Sequence, residues 1–474
     1  MLAEWHKDFF TNLEQNPIDQ EGFAKFTDLF KLVFSELDKE LTSLKNSENE
    51  IDRERYREYQ SVLTDWHGYK KRILKRKDTH YGYQLHLAKR LFLVDFFRVM
   101  ESFEVIQNNF GDIQDISDID IPEDPNNLRV SGNNYAMDTK SLEWDIIRLL
   151  AENFGLPKQP RLVEFRQNPH LYQDGYWGYV TTGGSESNMW AIIQGFTQYP
   201  NGVLYYSEGA HYSVPKAAKN HEIKVIPQIS ADNDAINVEL LIAEIKANWE
   251  AHKKPAIIVL TIGTTKCGAV DDVGAVKKHL RELDIPHYIH ADAAFYGGIP
   301  KNQEFAPKIG SIEDWGYDSI AISMHKYIGY PAAKGVLIST KKPVGNFIDY
   351  IGQEDNTVLG SRDVPAFSLR QQVTEVLRFS TPMSYIRNIN TFENMLNDLG
   401  VTFTLWTDGV AKGCIFVFKV NKEVQEYKDI CKHWQLSEFV GIDDLHRVHI
   451  VIFPSHSDEN MELLSKDLSK IAVK

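Results

Sequence analysis

The sequence predicts an α/β protein with a mostly parallel sheet, a small C-terminal α+β domain and an extra N-terminal helical region. Between about residues 140 and 340, short aliphatic runs alternate with amphipathic segments, as expected for parallel strands joined by crossover helices. Before that stretch, Phe23, Phe26 and Phe30 belong to a series of apolar residues at three- and four-residue steps, which is typical of helices. After about residue 380 the predicted elements become shorter.

The chain is therefore expected to divide into three parts. Residues 1–125 form the helical region and a linker, in which repeated aspartates with Pro122 and Pro125 indicate an extended connection. Residues 126–380 form the large α/β domain and residues 381–474 the small domain. A chain of 474 residues is too long for one simple core, which supports a division of this kind.

Local patterns give the elements of the α/β body in order. Aliphatic runs bounded by polar residues predict buried strands, and amphipathic segments predict the helices between them. The expected strands span 177–181, 203–206, 223–226, 256–262, 287–290, 318–323 and 335–339. The expected helices span 142–154, 186–196, 215–219, 238–249 and 273–283. In the small domain we expect strands at 414–420 and 448–453 and a helix at 459–471.

Charge and composition exclude several classes of protein. The net charge of −14 argues against binding to nucleic acid or to an anionic membrane, because either needs a broad basic surface. Cys267, Cys414 and Cys431 lack the spacing of a metal site or a disulfide framework. No apolar run is long enough to span a bilayer, and the N-terminal residues lack the pattern of a secretory signal. We therefore expect a cytoplasmic protein.

The most informative stretch is Ser323-Met324-His325-Lys326, which follows the apolar run 319–322. Open α/β sheets bind ligands at the carboxyl ends of their strands, where Lys326 is expected to lie. A desolvated lysine has a lowered pKa and can form a Schiff base with a carbonyl compound. Ser323 and His325 add a hydroxyl and an imidazole, which are suitable donors for a phosphate.

Three other loops place polar groups at the same edge. Gly184 and Ser185 lie in a glycine turn between a strand and a helix, where free N–H groups can hold a phosphate. His211 follows another strand and could stack on a planar ligand or transfer a proton. The alternative for His211 is a hydrogen-bonded histidine that caps a helix, and a glycine turn is usually only a turn. Thr264 and Thr265 offer hydroxyls that could bind a ligand but could equally be plain turn residues.

Asp292 follows the predicted strand 287–290 and is flanked by small residues, so a flat ligand could approach it closely. Its carboxylate could pair with a protonated ring nitrogen. The alternative is a zinc-type metal site built from His290, Asp292, His211 and His325. A nearby lysine and a phosphate-binding turn are not what such a site needs, so we predict no metal.

A lysine, a carboxylate, an imidazole and a Gly/Ser turn together meet the requirements of pyridoxal phosphate. The motifs that contain them resemble those of group II pyridoxal-phosphate amino-acid decarboxylases: TTGGSESN at 181–188, HYSV at 211–214, HADAA at 290–294 and SMHK at 323–326. Segments 177–181, 205–213 and 360–362 resemble in particular the branch of histidine decarboxylase and the plant serine decarboxylases. The resemblance extends from about residue 130 to 455 and implies the aspartate aminotransferase-like fold type I.

The resemblance also implies roles for single residues. Lys326 would form the Schiff base with the cofactor, and Asp292 would pair with the pyridine nitrogen. His211 and Ala294 would lie on opposite faces of the ring, and Thr264 or Thr265 would lie near its hydroxyl. The phosphate would be contacted by Gly184, Ser185, Ser323 and His325.

Segment 350–362 is polar and is expected to form a lid that carries Tyr350 and Arg362. In the related decarboxylases this region borders the active site, often from the partner subunit, which implies a homodimer. Asp363-Val364-Pro365 departs from the Asn-Gly-His that is usual in the branch.

The leading functional prediction is α-decarboxylation of an amino acid, with histidine as the best single candidate and serine or an aromatic amino acid next. A second possibility keeps the cofactor and the fold but changes the reaction to another carbon–carbon lyase step. A third is a non-catalytic protein that uses its helical region to bind a partner.

Overall fold

The computed structural model describes residues 39, 42–50, 52–53, 56–57, 140–156, 176–307, 316–340, 343, 346–348, 353–359, 364–380 and 382–473. Most of the predicted N-terminal helical region and the domain boundary near residue 125 lie outside these residues. Within the compact unit Met1–Lys77, residues 42–46 are helical. All features discussed below belong to the second unit, Asp78–Lys474.

A seven-stranded sheet forms the centre of the large domain. Its strands are β1 (Trp177–Thr181), β2 (Val203–Ser207), β3 (Ile223–Ile226), β6 (Ala256–Thr261), β7 (His287–Asp292), β8 (Ser319–Ser323) and β9 (Gly335–Ser339). They lie in the order β1-β9-β8-β7-β6-β2-β3. Two further strands, β4 (Gln228–Ser230) and β5 (Asn233–Ile236), form a separate hairpin.

The strand directions explain why one edge of this sheet carries polar loops. Neighbouring pairs from β3 to β8 are parallel, whereas β9 is antiparallel to both β8 and β1. Strand β1 therefore has the same direction as β8. The carboxyl ends of β1, β2, β6, β7 and β8 all meet at one edge, where open α/β sheets bind their ligands.

Successive side chains of each strand pack in two different apolar clusters, one on each face of the sheet. Leu204 and Tyr206 contact one apolar cluster, whereas Val203 and Tyr205 contact the other, because successive strand residues point to opposite faces. Helices cover both faces, so the inner strands β2, β6 and β8 are buried along their whole length, whereas the edge strand β3 is mostly exposed. The helices of this domain are α1 (Lys140–Asn153), α2 (Gly184–Gln198), α3 (Ser213–Ala217), α4 (Val238–His252) and α5 (Val273–Glu282).

After two short strands, β10 (Asn346–Ile348) and β11 (Gln353–Asp355), helix α6 (Ala366–Phe379) packs on α1 and leads into the C-terminal part. The strands of a four-stranded antiparallel sheet follow: β12 (Thr404–Thr407), β13 (Lys412–Lys419), β14 (Ser437–Val440) and β15 (His446–Val451). They lie in the order β12-β13-β15-β14. The accompanying helices are α7 (Ser384–Asp398), α8 (Tyr427–Trp434) and α9 (Asp458–Ile471).

A buried arginine joins this C-terminal sheet to the large domain. Arg447 on β15 is fully buried and donates from Nε to Asp232, between β4 and β5, at 2.7 Å. Its two terminal nitrogens donate to the carboxylate of Asp443 at 2.6 and 2.7 Å. A bidentate pair of this kind satisfies the planar guanidinium, so the charge can be buried between the domains.

The predicted α/β architecture is observed, with differences at the ends of elements. The strand expected at 287–290 continues to Asp292, so this carboxylate terminates β7 rather than following it. The helix expected at 215–219 begins at Ser213 and ends at Ala217. Hairpin β4–β5 was not predicted, because its short strands carry a mixed polar sequence with no clear period. Among the described residues, no helix combines the length and the apolar character that a membrane crossing requires.

Candidate active site

The predicted motifs converge at the carboxyl edge of the large sheet. Thr261 at the end of β6 is aligned with Asp292 at the end of β7, and Asp292 is aligned with Ala321 on β8. Gly184 lies against this edge: a Cβ atom added there would be 2.6 Å from Ser323 Oγ and 3.6 Å from Ala294 Cβ. Residues from three distant motifs therefore lie close together, and a side chain at residue 184 would displace the Ser323 hydroxyl.

The glycine-rich turn is held in shape by residues of its own motif. Glu186 in the first turn of α2 accepts hydrogen bonds from the backbone and hydroxyl of Thr182, at 2.7 and 2.8 Å, and from the hydroxyl of Tyr179 at 3.1 Å. Ser187 and Thr181 share a hydrogen bond of 2.8 Å between their hydroxyls. This framework presents the start of the 15-residue helix α2 at the sheet edge, where N–H groups and the helix dipole favour an anion.

Lys326 lies in the turn that follows β8, as predicted. Its backbone N–H donates to Ser323 O at 3.3 Å, which holds the lysine beside the end of the strand. Burial lowers the pKa of the Lys326 amine, and the negative charge of Asp292 partly opposes this shift. The lysine is thus placed next to a carboxylate and has an increased tendency to lose its proton, which makes its Nζ atom more nucleophilic.

Asp292 is 2% exposed and is oriented by two N–H donors. Its Oδ2 atom accepts a hydrogen bond from Asn188 Nδ2 at 2.7 Å, and its Oδ1 atom accepts from the backbone N–H of Ala294 at 3.2 Å. Two such donors fix the orientation of the carboxylate in the site.

Asn188 connects this carboxylate to the predicted imidazole. Its amide nitrogen also donates to Ser213 Oγ at 3.0 Å, and Ser213 Oγ lies 2.8 Å from His211 Nδ1. Burial lowers the pKa of His211; Asp292 raises it and Lys326 lowers it further. His211, Asp292 and Lys326 are therefore electrostatically coupled, although they come from three different loops.

His290 lies behind the site and is fully engaged by hydrogen bonds. Its Nδ1 atom is 2.8 Å from Ser319 Oγ, and its Nε2 atom is 3.0 Å from Asn188 Oδ1. Burial lowers its pKa to about 4, so the ring is neutral near pH 7. A neutral histidine with both nitrogens engaged is a poor candidate for the metal site weighed above. Within the part of the chain that the structure describes, no three His, Cys, Asp or Glu side chains form a cluster suited to a metal.

The remaining predicted contacts differ in how they are placed. Ser185 is exposed at the start of α2. His325 is partly buried, its Nδ1 atom lies 3.4 Å from Lys334 O, and burial followed by the charge of Lys326 lowers its pKa. The hydroxyl of Thr264 donates to Asp234 and accepts from Ala269 N, so its proton is already engaged away from a ligand.

Thr265, in contrast, is exposed beside Thr264. Tyr350 and Arg362, predicted on the lid, lie outside the described residues. Their proposed roles and those of the phosphate contacts stay predictions.

These residues fit pyridoxal phosphate. The charge of buried Asp292 acts on the Lys326 amine, whose pKa burial lowers, and the amino end of α2 meets the end of β8 at Gly184 without a side chain between them. The set thus offers an amine for an aldehyde, a carboxylate for a ring nitrogen and an anion-binding helix end for a phosphate.

Sequence reasoning missed the contribution of Asn188, which was noted only as the last residue of the glycine motif. It lies one helical turn after Gly184, on the same face of α2, and this spacing was the available signal. Ser213 was likewise overlooked as the link to His211.

Residues 139–369 match the family model described as the pyridoxal-dependent decarboxylase conserved domain. The chain is 34% identical over 281 residues to a histidine decarboxylase of Acinetobacter baumannii, covering 57% of this chain and 62% of that protein. A histidine decarboxylase of Morganella morganii is 36% identical over 236 residues, covering 48% and 57%. The matched region thus spans about three fifths of the length of these relatives.

Solved structures show the same fold at lower identity. L-methionine decarboxylase from Streptomyces sp. 590 is 18% identical, with a TM-score of 0.60 over 89% of this chain and 95% of that chain. The glutamate decarboxylase domain of a Vibrio parahaemolyticus protein is 14% identical, with a TM-score of 0.59 over 99% and 93%. The resemblance, the fold class and the cofactor predicted from the sequence are confirmed.

Proposed function

We propose that this chain, whose residues 139–369 match the model of the pyridoxal-dependent decarboxylase conserved domain, converts an L-amino acid to its amine and CO2. The observation that carries the proposal is the arrangement at the sheet edge: Lys326 lies in the turn after β8, buried Asp292 ends β7, and the charge of Asp292 acts on the Lys326 amine. We propose L-histidine, which would give histamine, as the substrate. Support for this choice comes from the 34–36% identity to proteins named histidine decarboxylase.

The resemblance assigns the residues that would hold pyridoxal phosphate, and the placement of Lys326, Asp292 and Gly184 at one sheet edge supports this assignment. Lys326 would hold it covalently through Nζ, and Asp292 would pair with the ring nitrogen. His211 and Ala294 would lie against the ring faces, and the phosphate would be held by Gly184, Ser185, Ser323 and His325. When bound, the cofactor supplies a conjugated system that accepts the electron pair left on the α-carbon as CO2 departs.

The protein's own contribution is to control charge at two atoms. Burial favours the neutral form of Lys326 Nζ, which is the nucleophilic form. The donors from Asn188 and Ala294 fix the orientation of the Asp292 carboxylate. An anion at this position would keep the ring nitrogen protonated, and a protonated ring accepts electrons far better than a neutral one.

The test is release of amine and CO2 by the purified, cofactor-loaded protein, measured separately with each of the proteinogenic amino acids. Release of histamine from histidine alone would support both the reaction and the substrate. Release of an amine from serine or an aromatic amino acid would support the reaction and change only the proposed substrate. Carbonyl products without CO2 would favour a different lyase reaction. No product from any amino acid would overturn the proposal.

We further propose that the chain acts as a homodimer, as the resemblance implies, with Arg362 reaching the active site of the partner subunit. Mixing inactive Lys326→Ala and Arg362→Ala subunits under exchange conditions provides the test. If Arg362 acts across the interface, mixed dimers contain one intact site and regain part of the activity. A monomeric mass by light scattering would contradict the dimer, and no regain by verified mixed dimers would contradict the role across the interface.

A further inference from the structure

We propose that Asn188 is a positioning residue whose single carboxamide sets both the orientation of Asp292 and the proton position on His211, so that His211 carries its proton on Nε2. The hydrogen-bond geometry belongs to the chain itself. Its consequence for catalysis rests on the proposed function, in which Asp292 and His211 contact the cofactor.

The orientation of the Asn188 carboxamide is determined by its neighbours. Its nitrogen lies 2.7 Å from Asp292 Oδ2 and 3.0 Å from Ser213 Oγ, and its oxygen lies 3.0 Å from His290 Nε2. A flipped amide would place its oxygen against the Asp292 carboxylate, where two acceptors would repel each other. Both amide protons and the carbonyl oxygen are thus used, and the side chain is 1% exposed.

The first branch runs from Asn188 to His211. Because Ser213 Oγ accepts a hydrogen bond from Asn188 Nδ2, its own hydroxyl proton is available to donate to His211 Nδ1, 2.8 Å away. The backbone N–H of Ser213 also donates to Nδ1, at 3.3 Å. Two donors on one ring nitrogen require that nitrogen to be unprotonated. A neutral His211 therefore carries its proton on Nε2.

The second branch fixes the carbonyl end of the same amide. The hydroxyl of Tyr288 donates to Ser319 Oγ at 2.8 Å, so Ser319 donates to His290 Nδ1 at the same distance. His290 then carries its proton on Nε2 and donates it to Asn188 Oδ1. Every hydrogen bond from Tyr288 to Asp292 thus points in one direction, and reversing any one of them would leave a buried group unpaired.

This arrangement joins two groups that come from different loops of the fold. Asp292 ends β7, His211 precedes α3, and Asn188 on α2 is hydrogen-bonded towards both. Loss of the carboxamide would remove one donor to the Asp292 carboxylate. It would also free the Ser213 hydroxyl to accept a hydrogen bond from an Nδ1–H group of His211. A residue that only supported the core would not produce both effects.

The first measurement is the proton position on His211 in the cofactor-free, ¹⁵N-histidine-labelled full chain, read from long-range ¹H–¹⁵N spectra. The signal is assigned by its loss in His211→Gln. We expect the Nε2–H form in the wild type, and in Asn188→Ala a shift of the tautomer ratio toward Nδ1–H on the order of fivefold, the value of one neutral hydrogen bond. Ser213→Ala should give the same shift and leaves the contact between Asn188 and Asp292 in place.

The matched control is Asn388→Ala. Asn388 is equally buried, and its amide nitrogen donates two hydrogen bonds of 2.9 Å, to Phe453 O and His456 O in the C-terminal part. This variant should leave the His211 signal unchanged. The second readout is affinity for pyridoxal phosphate, measured by titration of the visible absorbance. It should fall on the order of tenfold in Asn188→Ala, because a hydrogen bond to a charged group is lost, and not in Asn388→Ala.

An Nδ1–H form in the wild type would overturn the inference, as would equal behaviour of Asn188→Ala and Asn388→Ala in both readouts. If Asn188→Ala does not fold, the Ser213→Ala variant decides the question: an unchanged His211 tautomer in that variant would overturn the inference. These outcomes are separate from those of the proposed function. If the tautomer and the affinity loss are as predicted but no amine is released, the role of Asn188 is supported and the proposed function is contradicted. If amine is released but His211 carries its proton on Nδ1, the function is supported and the role of Asn188 is contradicted.

Discussion

Replacing Asp292 with asparagine tests the central charge of the site. In the wild type, its two oxygens accept from Asn188 Nδ2 at 2.7 Å and from the backbone N–H of Ala294 at 3.2 Å. An asparagine must turn its own NH₂ group toward one of these donors, so a buried N–H would face another N–H. We expect the cofactor-free variant to fold and to lose about 1–3 kcal/mol of the free energy of unfolding, measured by urea denaturation.

The same variant should retain the cofactor through Lys326 but react slowly. A neutral amide cannot keep the ring nitrogen protonated, and loss of one electrostatic contribution of this kind lowers kcat by ~10²–10³-fold. Amine release under saturating substrate gives kcat, and visible absorbance gives cofactor content. Unchanged kcat at full cofactor content would refute the role assigned to the carboxylate.

A double substitution separates stability from catalysis. Asn188→Asp combined with Asp292→Asn exchanges the two groups, so a donor again faces an acceptor between the two positions. We expect the free energy of unfolding to recover part of the loss, because the unpaired N–H contact is removed. The carboxylate would then stand at residue 188, away from its original position, so kcat should stay low. Recovery of kcat together with stability would mean that the hydrogen bond, and not the position of the charge, controls turnover.

Three other outcomes follow from the site. Lys326→Ala should lose nearly all amine release. After incubation with the cofactor and reduction with borohydride, no cofactor should remain covalently bound to this variant. Retained turnover would contradict the assignment of the lysine. Gly184→Ala should weaken cofactor affinity, because its Cβ would lie 2.6 Å from Ser323 Oγ; affinity within twofold of wild type would count against this turn as the phosphate site. His290, whose pKa burial lowers from 6.5 to about 4, binds fewer protons when folded than when unfolded within that window. Neutral His290 therefore contributes ~3 kcal/mol to the free energy of unfolding above pH 6.5, and this contribution is lost as the pH falls toward 4. In His290→Gln the urea midpoint should depend less on pH over this range. An unchanged pH dependence would contradict the prediction.

The sequence was informative about the site wherever one residue type has a distinctive chemistry. Lys326, Asp292 and His211 could be selected because each follows a predicted strand and offers a group that the cofactor needs. Thr264 shows the limit of this reasoning. Its hydroxyl was an equally plausible ligand contact by sequence, but it is engaged by Asp234, 30 residues earlier in the chain. Such pairings depend on how loops pack and leave no local pattern.

The sequence alone determined the α/β class, most strand positions and the cofactor, because buried parallel strands require aliphatic runs and the cofactor requires a distinctive set of groups. Only the tertiary structure decided that β9 runs against its neighbours, and that Asn188 lies between Asp292 and His211. An asparagine has no periodic signature and can donate or accept. Its role is therefore defined only when the donors and acceptors of other elements are brought within hydrogen-bond distance.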